Sequence, residues 1–234
     1  MALSACARPE TSSGIYDPNE RFNRKVHAVN KGIDRALLRP TSQVYGFVLP
    51  KPVRNGVENF SSNLNMPRIV VNDFLQLNVE DGVHNTFRFL INSTMGIGGL
   101  FNPARDFGLD ERSSDFGETL YVWGVGEGPY HEMLFLGPGT RRQMVGIYVD
   151  IFLNPISYVL PAEYVWVPTG AAVASIIGDR YRYSGTVDAI LYESADSYAQ
   201  ARLLYLENRR FELSGRGEDE EPEYYDPYED LYGE

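Results

Sequence analysis

Apolar residues recur every three or four positions near the start of this chain, as they do along the stripe of an amphipathic helix. Asp17 precedes the stripe and can accept free N–H groups, Pro18 suits the first helical position, and Glu20 follows three residues after the cap. The spacing therefore predicts a helix that begins after Asp17 and that Pro40 ends. Its apolar stripe consists of Phe22, Val26, Val29, Ile33 and Leu37.

Three more amphipathic stretches follow at similar spacing. The second begins at Pro52, the third at Pro67 and the fourth at about Val79. Proline suits the first turn of a helix, so each of the two prolines is interpreted as a helix start. Glycines are expected to stop the fourth stretch, because glycine readily ends helices. They are Gly96, Gly98 and Gly99.

The middle of the chain, residues 96–140, is rich in glycine and has no single clear period. A short helix around residues 117–123 and a short hairpin around residues 128–137 both fit the pattern there. Helical spacing resumes near Arg141 and again over residues 171–177. The middle is therefore predicted to be a glycine-rich loop and hairpin region between helical halves.

A long C-terminal helix is predicted from Val187 to about Leu213. Ser194, Asp196 and Ser197 leave an alternative, in which two helices replace one, because such residues favour caps over helix interiors. No convincing run of alternating strands is present. The fold class is therefore predicted to be all-α, with the glycine-rich region and its short hairpin at the centre.

Periodicity alone does not decide whether these apolar stripes form a core or face lipid. A core explains most such stripes in helical proteins, whereas lipid-facing helices place Tyr and Trp at the membrane interface. The chain has 16 Tyr and 12 Phe, which suits the second interpretation without requiring it. No run of 18 uninterrupted apolar residues occurs, so no ordinary spanning helix is predicted.

The net charge of −11 is concentrated at one end of the chain. Residues 215–234 contain nine acidic residues and one basic residue, and the rest of the chain is close to neutral. This acidic stretch is predicted to be a disordered tail over residues 214–234, the apolar stripes predict a helical domain over 17–213, and residues 1–16, rich in Ser, Thr and Gly, are interpreted as a lipobox and tether. Without a basic stripe to neutralise phosphates, a nucleic-acid partner is not expected.

The residues give no pattern for an enzyme, a metal site or a cofactor. His131-Glu132 begins like a metalloprotease motif, but position 135, where a second histidine would be needed, is Phe. His27 and His84 have no partner at zinc-ligand spacing. Neither a Gly-x-Ser-x-Gly elbow nor a phosphate-binding Gly-rich loop occurs. No catalytic residue, metal ligand or cofactor is therefore assigned.

The single cysteine, Cys6, lies at the end of Leu3-Ser4-Ala5-Cys6, which reads as a lipobox. The cysteine thiol is the nucleophile that suits attachment of a diacylglycerol, and small neighbours give a peptidase access to the preceding bond. A chance match remains the alternative, because four-residue matches are common. Five residues also cannot form a complete signal peptide, so the start is either truncated or lies near the processing site.

Several ordered blocks resemble the MlaA family, also called VacJ, of Gram-negative outer-membrane lipoproteins. They run from about residue 6 to residue 213, and the tail is not part of the resemblance. The blocks are Asp17-Pro18-Asn19-Glu20-Arg21-Phe22-Asn23-Arg24, residues 52–60, residues 88–100, Asp115-Phe116-Gly117-Glu118-Thr119-Leu120, Trp123-Gly124-Val125 with Gly128-Pro129-Tyr130, residues 136–141, and a last helix with Tyr198, Arg202 and Tyr205.

The resemblance implies a ring-like assembly of amphipathic helices in the periplasmic leaflet of the outer membrane, anchored through a lipidated Cys6. It implies a central amphipathic channel that takes mislocalised phospholipids from the outer leaflet, association with trimeric porins, and transfer to the periplasmic carrier MlaC. It implies no covalent chemistry. Two alternatives are an adaptor lipoprotein that binds porins without moving lipid, and a phospholipase, which the missing nucleophile motif disfavours.

Within that picture, three groups of residues are candidates for the transport path. Phe116, Leu120 and Trp123 are candidates for a channel or membrane face, with core packing as the alternative. The glycines at positions 96, 98 and 99 are expected to allow either close packing or a hinge. A mobile gate is the candidate role for Leu136, Gly137, Pro138 and Gly139.

Overall fold

The computed structural model describes residues 15–215, which are mostly helical as predicted. Cys6, most of the tether and nearly all of the acidic tail lie outside the described residues. The first half contains α1 (Glu20–Ile33), a π-helical segment (Asp34–Leu38), α2 (Arg39–Val48), α3 (Lys51–Leu75), α4 (Val79–Thr94), α5 (Pro103–Asp106) and α6 (Phe116–Val122). The second half contains β1 (Tyr130–Met133), β2 (Gly137–Thr140), α7 (Arg141–Leu153), α8 (Ile156–Val159), a 3₁₀ turn (Ala162–Tyr164), α9 (Trp166–Arg182), α10 (Ser184–Asp188), a second π-helical segment (Ala189–Glu193) and α11 (Ser197–Ser214).

The long helix α3 is the centre of the packing, with α4 and α9 against it, while α2 packs on α9 and α6 on α7. The predicted hairpin is present as the antiparallel pair β1–β2, in which Tyr130 pairs with Thr140 and Met133 with Gly137. This hairpin contacts α1 and α11 and so joins the two ends of the helical domain. Within residues 15–215, no helix is long and apolar enough to cross a membrane.

Helices α1 and α4 bury their polar faces and expose apolar side chains. On α1, Asn23 and His27 are buried while Phe22 is 65% exposed. On α4, Asn85 is fully buried while Phe87 is 56% exposed. The apolar stripes of these two helices therefore do not form a core, and the lipid-facing interpretation fits them better. In water, a surface of this kind would be strongly unfavourable.

Hydrogen bonds satisfy the polar interior where α3, α4, α6 and α7 meet. The Asn72 amide donates to Asp150 at 2.8 Å, and its oxygen accepts from Thr119 at 2.9 Å. Beside it, Asn85 donates to Asp73 at 2.8 Å. Buried polar groups destabilise a fold unless they are paired, so these bonds hold the four helices together in place of apolar packing.

A buried ion pair fixes α9 to the π-helical segment after α1. Arg180 donates two hydrogen bonds to Asp34, at 2.7 and 3.0 Å, and both side chains are less than a tenth exposed. Tyr192 donates to the same carboxylate at 2.7 Å, and Asp188 accepts a third bond from Arg180 at 2.6 Å. Because the pair is bidentate, it fixes the orientation of α9 as well as its position.

The prediction that Asp17 caps the first helix was wrong. The helix begins at Glu20, and Asn19 at its cap position makes no side-chain bond to the helix. The carboxylate of Asp17 is instead buried against α11, where it accepts hydrogen bonds from Tyr198 and Arg202, both at 2.5 Å. A guanidinium partner compensates a buried carboxylate better than backbone N–H groups alone, which explains the displaced start.

The prediction that Pro40 ends the first helix was also wrong. Helical structure continues to Val48, because the π-helical segment interrupts the α-helical bonding pattern just before Pro40. The proline therefore enters α2 in its first turn, where its missing N–H leaves no bond unmade.

Pro67 does not begin a third helix, as the pattern had suggested, because it lies inside α3. An interior proline costs about 3 kcal/mol of helix stability. Met66 and Ile69, which flank it, are among the most deeply buried side chains in the described part of the chain. Tertiary packing therefore outweighs the local preference of the proline.

A single C-terminal helix from Val187 is likewise not observed, and the alternative of a break is confirmed. The chain runs through α10 and the second π-helical segment before α11 begins after Asp196, whose side chain accepts from the N–H of Ala199 at 3.1 Å. The predicted helices around residues 117–123 and 171–177 and the stop after the fourth stretch are confirmed.

Two substitutions on α4 test whether its polar face is buried and its apolar face is exposed. Asn85→Ala removes the bond to Asp73 and is expected to lower the free energy of unfolding by about 2 kcal/mol, because it leaves a buried carboxylate short of a donor. Phe87→Ala is expected to change it by less than about 0.5 kcal/mol in detergent. Chemical denaturation in a mild detergent measures both. A larger loss for Phe87→Ala than for Asn85→Ala would show that the apolar face is the core.

Candidate functional site

The helices enclose an open cavity of about 970 Å³, here called the main cavity. Its wall is formed by α3, the loop before α6, the hairpin turn, α7 and α9. One part of the wall is apolar and the other carries hydroxyl, amide and charged groups, so the cavity is amphipathic. Representative apolar and polar lining residues are Leu64, Ile147, Ile151, Ser61, Asn65 and Thr169.

The polar wall is organised around Asp150 on α7. Arg68 donates to its carboxylate at 2.5 Å, and the backbone N–H of Phe116 donates to it at 3.1 Å. Burial raises the pKa of Asp150, although Arg68 and Asn72 both act in the opposite direction. The lining guanidinium is therefore already engaged by a carboxylate, and this part of the wall is polar without a large free charge.

Other carboxylates of the main cavity are paired with arginines from helices around it. Glu58 binds Arg182, and Asp115 accepts two bonds from Arg209 of α11, at 2.7 and 2.8 Å. Asp179 on α9 is different, because burial and the nearby Glu58 both raise its pKa. The main cavity therefore has a polar wall beside an apolar wall. Most charged groups in the polar wall are neutralised by a neighbouring ion-pair partner.

The candidate face residues Phe116 and Leu120 lie on α6, and Trp123 directly follows it. Phe116 and Leu120 are half-buried, and the ring of Phe116 meets that of Trp123 edge-on with 5.6 Å between centroids. Trp123 is 53% exposed and donates from its indole N–H to the carbonyl of Leu75 at 3.1 Å. The structure thus places Trp123 on the outer surface, and the three side chains lie outside the lining of the main cavity.

The glycines after α4 form a tightly packed turn. A Cβ on Gly96 would lie 2.4 Å from the carbonyl oxygen of Asn92, and one on Gly99 would lie 2.4 Å from the Cβ of Asn63. Gly99 also has a φ of +93°, which other residues rarely adopt. These contacts support close packing for Gly96 and Gly99, while Gly98, with a φ of +69°, faces open space.

The hairpin places its turn at the main cavity, and α1 holds both its first strand, through Asn23, and its turn, through Asn30. Asn30 of α1 donates to the carbonyl of Met133 and accepts from the N–H of Phe135, both at 2.9 Å. The turn itself is exposed, and Leu136 at its tip lines the main cavity. Gly137 has a φ of +79°, which the tight turn requires.

The other two candidate gate residues belong to the second strand. Pro138 pairs with Glu132, and Gly139 is buried, with Met133 so close that a Cβ there would meet its methyl group at 2.5 Å. Of the four candidates, Leu136 lies in the turn and Gly137 directly after it, and Pro138 and Gly139 lie further along the paired strand.

Sequence reasoning missed the polar network behind this site. The signal was present, because Asn85, Arg88 and Asn92 recur at helical spacing on the side of α4 opposite its apolar residues, and all three are buried. When amide and charged residues recur every three or four positions on one side of a helix and apolar residues do so on the other, the helix can bury its polar side. No comparable sequence pattern indicated that Asp150 would lie at the centre of the polar wall.

A helical protein with a polar interior, an apolar exterior and an amphipathic cavity belongs to the class of proteins that handle lipid at a membrane. The sequence profile of the MlaA lipoprotein family matches residues 15–212. The chain belongs to this family, which confirms the resemblance seen in its sequence.

Relatives and a solved structure agree with this membership. The intermembrane phospholipid transport system lipoprotein MlaA of Escherichia coli is 31% identical over 220 residues, which cover 91% of this chain and 85% of the relative. A protein of Rickettsia felis is 37% identical over 80% of this chain and 74% of its own length. A structure solved in work on the maintenance of bacterial outer membrane lipid asymmetry matches with a TM-score of 0.73 and 32% identity, covering 84% of this chain and 98% of that one.

Asp179 provides a pH test of the cavity's electrostatics. Because its pKa is raised in the folded state, ionisation of Asp179 disfavours the fold, and this loss grows as the pH rises through the raised pKa. Asp179→Asn is therefore expected to raise the thermal midpoint at pH 7 and to have no such effect below the ordinary carboxyl pKa. Thermal scans from pH 3.5 to 7.5 measure the difference, with Asp110→Asn, an exposed carboxyl, as the control. A gain that does not depend on pH would contradict this assignment.

Proposed function

We propose that this protein is an outer-membrane lipoprotein that removes mislocalised phospholipids from the outer leaflet and passes them through the main cavity to a periplasmic carrier. The amphipathic main cavity inside an apolar exterior is the observation that carries the proposal. The names of the relatives support it, since the Escherichia coli relative is a lipoprotein of an intermembrane phospholipid transport system. Its role is to maintain the lipid asymmetry of the outer membrane.

The energy of moving a phospholipid explains why such a cavity is needed. Burying acyl chains is worth about 0.8 kcal/mol per methylene group, so releasing two tails into water costs on the order of 20 kcal/mol. The apolar wall of the main cavity keeps the tails covered, and the wall around Asp150 gives the head group polar partners. Transport moves a lipid without changing its bonds, so the proposal contains no catalytic step and needs no cofactor or metal.

Two features support the proposed membrane position. The exposed apolar faces of α1, α2 and α4 suit contact with acyl tails, with Trp123 at the outer surface. Lipidation of Cys6 would anchor the chain in the periplasmic leaflet, where its helices form a ring-like assembly around the cavity. The diacylglycerol on Cys6 would supply two acyl chains for anchoring, and the apolar faces add to this attraction.

The path requires an element that opens and closes, and the hairpin turn around Leu136 and Gly137 is our candidate for this gate. Leu136 in the turn is exposed and lines the cavity, while Asn30 of α1 holds the neighbouring Met133 and Phe135 by two hydrogen bonds that opening would break. Glycines 96 and 99 serve close packing, so we do not extend the gate to them. Trimeric porins are the proposed neighbours in the membrane, and MlaC is the proposed carrier that receives the lipid.

An adaptor lipoprotein that binds porins without moving lipid is the alternative, and the main cavity argues against it. A pure adaptor has no need of a large amphipathic space, whereas a lipid path does. The two functions differ in whether phospholipid accompanies the purified protein.

Removal of the anchor tests the membrane position. Cys6→Ala is expected to move the protein off the outer membrane, because the diacylglycerol is lost and the remaining attraction is weaker. Phospholipid should then accumulate in the outer leaflet. Membrane fractionation and chemical labelling of surface phospholipid measure the two effects. Unchanged fractionation would count against the anchor, and unchanged leaflet composition would count against transport.

Narrowing the main cavity tests the path itself. Ala172 and Ser175 line it from one face of α9, so Ala172→Trp with Ser175→Trp is expected to raise outer-leaflet phospholipid to the level of a strain that lacks the protein. Membrane location should not change. Ala36→Trp, at an exposed position outside the cavity lining, is the matched control and should behave like the wild type. Normal asymmetry in the narrowed variant, present at normal levels, would rule out the main cavity as the path.

A further inference from the structure

A second cavity of about 390 Å³ lies beside the main cavity and is lined mostly by apolar side chains; we call it the side cavity. It is open on one side and is bordered by α1 and the following π-helical segment, the hairpin turn, α9, the second π-helical segment and α11. Its apolar wall includes Ile33, Leu38, Val173, Ile177, Leu191 and Ala201.

The polar residues in the wall of the side cavity are already bonded to other parts of the protein. His27 and Glu132 bond to each other at 3.1 Å, and Asn30 is bonded to the hairpin backbone. Asp34 is paired with Arg180, and Lys31 reaches the hydroxyl of Ser197 at 3.4 Å. Since none of these groups needs a polar partner from a ligand, the space suits a ligand that is itself apolar. The polar lining residues are His27, Asn30, Lys31, Asp34 and Glu132.

The two cavities adjoin at the hairpin turn, because Leu136 and Ile176 line both of them. One cavity is amphipathic and the other is almost wholly apolar, which matches the two chemical parts of a phospholipid. A molecule with its head group at the polar wall of the main cavity could therefore extend a tail past Leu136 into the side cavity.

We propose that the side cavity is a binding site for one acyl tail of the phospholipid whose head group occupies the main cavity. This inference rests on the proposed function. The hydrogen bonds of Asn30 to the hairpin turn and the Asp34–Arg180 pair hold the walls of the side cavity in place, so the site is formed before the tail enters. A preformed site binds without the cost of ordering its own side chains.

Because the side cavity holds one acyl tail, the affinity of the protein for a lipid depends on how many tails that lipid has. A diacyl phospholipid fills both cavities, whereas a lysophospholipid with the same head group leaves one of them empty. The wild-type protein is therefore expected to bind phosphatidylethanolamine at least about tenfold more tightly than lysophosphatidylethanolamine, because a few buried methylene groups already give that factor. The protein thus distinguishes intact lipids from their single-tailed products.

Filling the side cavity tests this selectivity. Ala201 lines the side cavity and lies outside the lining of the main cavity, so Ala201→Phe is expected to reduce the preference for the diacyl lipid to about threefold or less. The matched control is Ala172→Phe, which narrows the main cavity and should weaken binding of both lipids by a similar factor. The full chain in detergent micelles, competed with the two lipids and read by native mass spectrometry, gives the ratio.

The outcomes separate this inference from the proposed function. If the wild-type protein binds neither lipid, the proposed function fails. If it binds diacyl lipid and Ala201→Phe keeps the full preference, the side cavity holds no tail and the inference is overturned.

A cross-linking experiment on the wild-type protein avoids the risk that Ala201→Phe does not fold. Phosphatidylethanolamine carrying a diazirine near the end of one tail is expected to label Leu38 and Leu191, which line the side cavity and lie outside the lining of the main cavity. Labelling confined to outward residues such as Phe47, which is 91% exposed, would show only surrounding tails and would overturn the inference.

Discussion

The buried polar network between the helices is the interaction on which the rest of the structure depends. Asn72, Asp73, Asn85 and Asp150 lie in the interior and are bonded across α3, α4, α6 and α7. Because these bonds hold the helices together, the apolar faces are free to point outward. Such bonds are stronger and more directional in a low-dielectric environment than in water, so lipid around the protein favours the same arrangement.

The same network borders the main cavity. Asp150 and Arg68 belong to the network and also line the cavity, so the network supplies the polar part of its wall. The main cavity has a polar wall where the network reaches it and an apolar wall where it does not. The hairpin, bonded to α1 along its first strand and at its turn, places the exposed apolar side chain of Leu136 between this space and the side cavity. The polar network between the helices, with apolar side chains beside it, thus accounts for both the polar and the apolar wall of the main cavity.

Much of the fold could be predicted from the sequence, because periodicity reports helices whichever face is buried. The end of α4 at its glycines, the short α6 and the hairpin all follow from local preferences that the tertiary structure respects. Pro40 and Pro67 were misinterpreted because the π-helical segment and the packing of α3 accommodate them, and neither leaves a local mark in the sequence. Asp17 was misassigned because its partner, Arg202, is 185 residues away.

The candidate site was less predictable for the same reason. Leu136 could be chosen from the turn pattern, but Asp150 and Asp179 matter through neighbours from other helices, which spacing along one helix does not reveal. The most important feature that periodicity did not settle was whether the apolar stripes face the interior or the lipid. Amide and charged residues recur at helical spacing on the opposite faces of α1 and α4. This pattern indicates that the polar faces are the buried ones.

The lipid content of the full chain, extracted from the outer membrane in a detergent that does not resemble phospholipid, tests the central claim most directly. Mass spectrometry is expected to find diacyl phospholipid bound to the protein, and to find less of it when the main cavity is narrowed from α9. A protein that is folded, anchored and associated with its membrane neighbours, yet carries no phospholipid, would contradict the account.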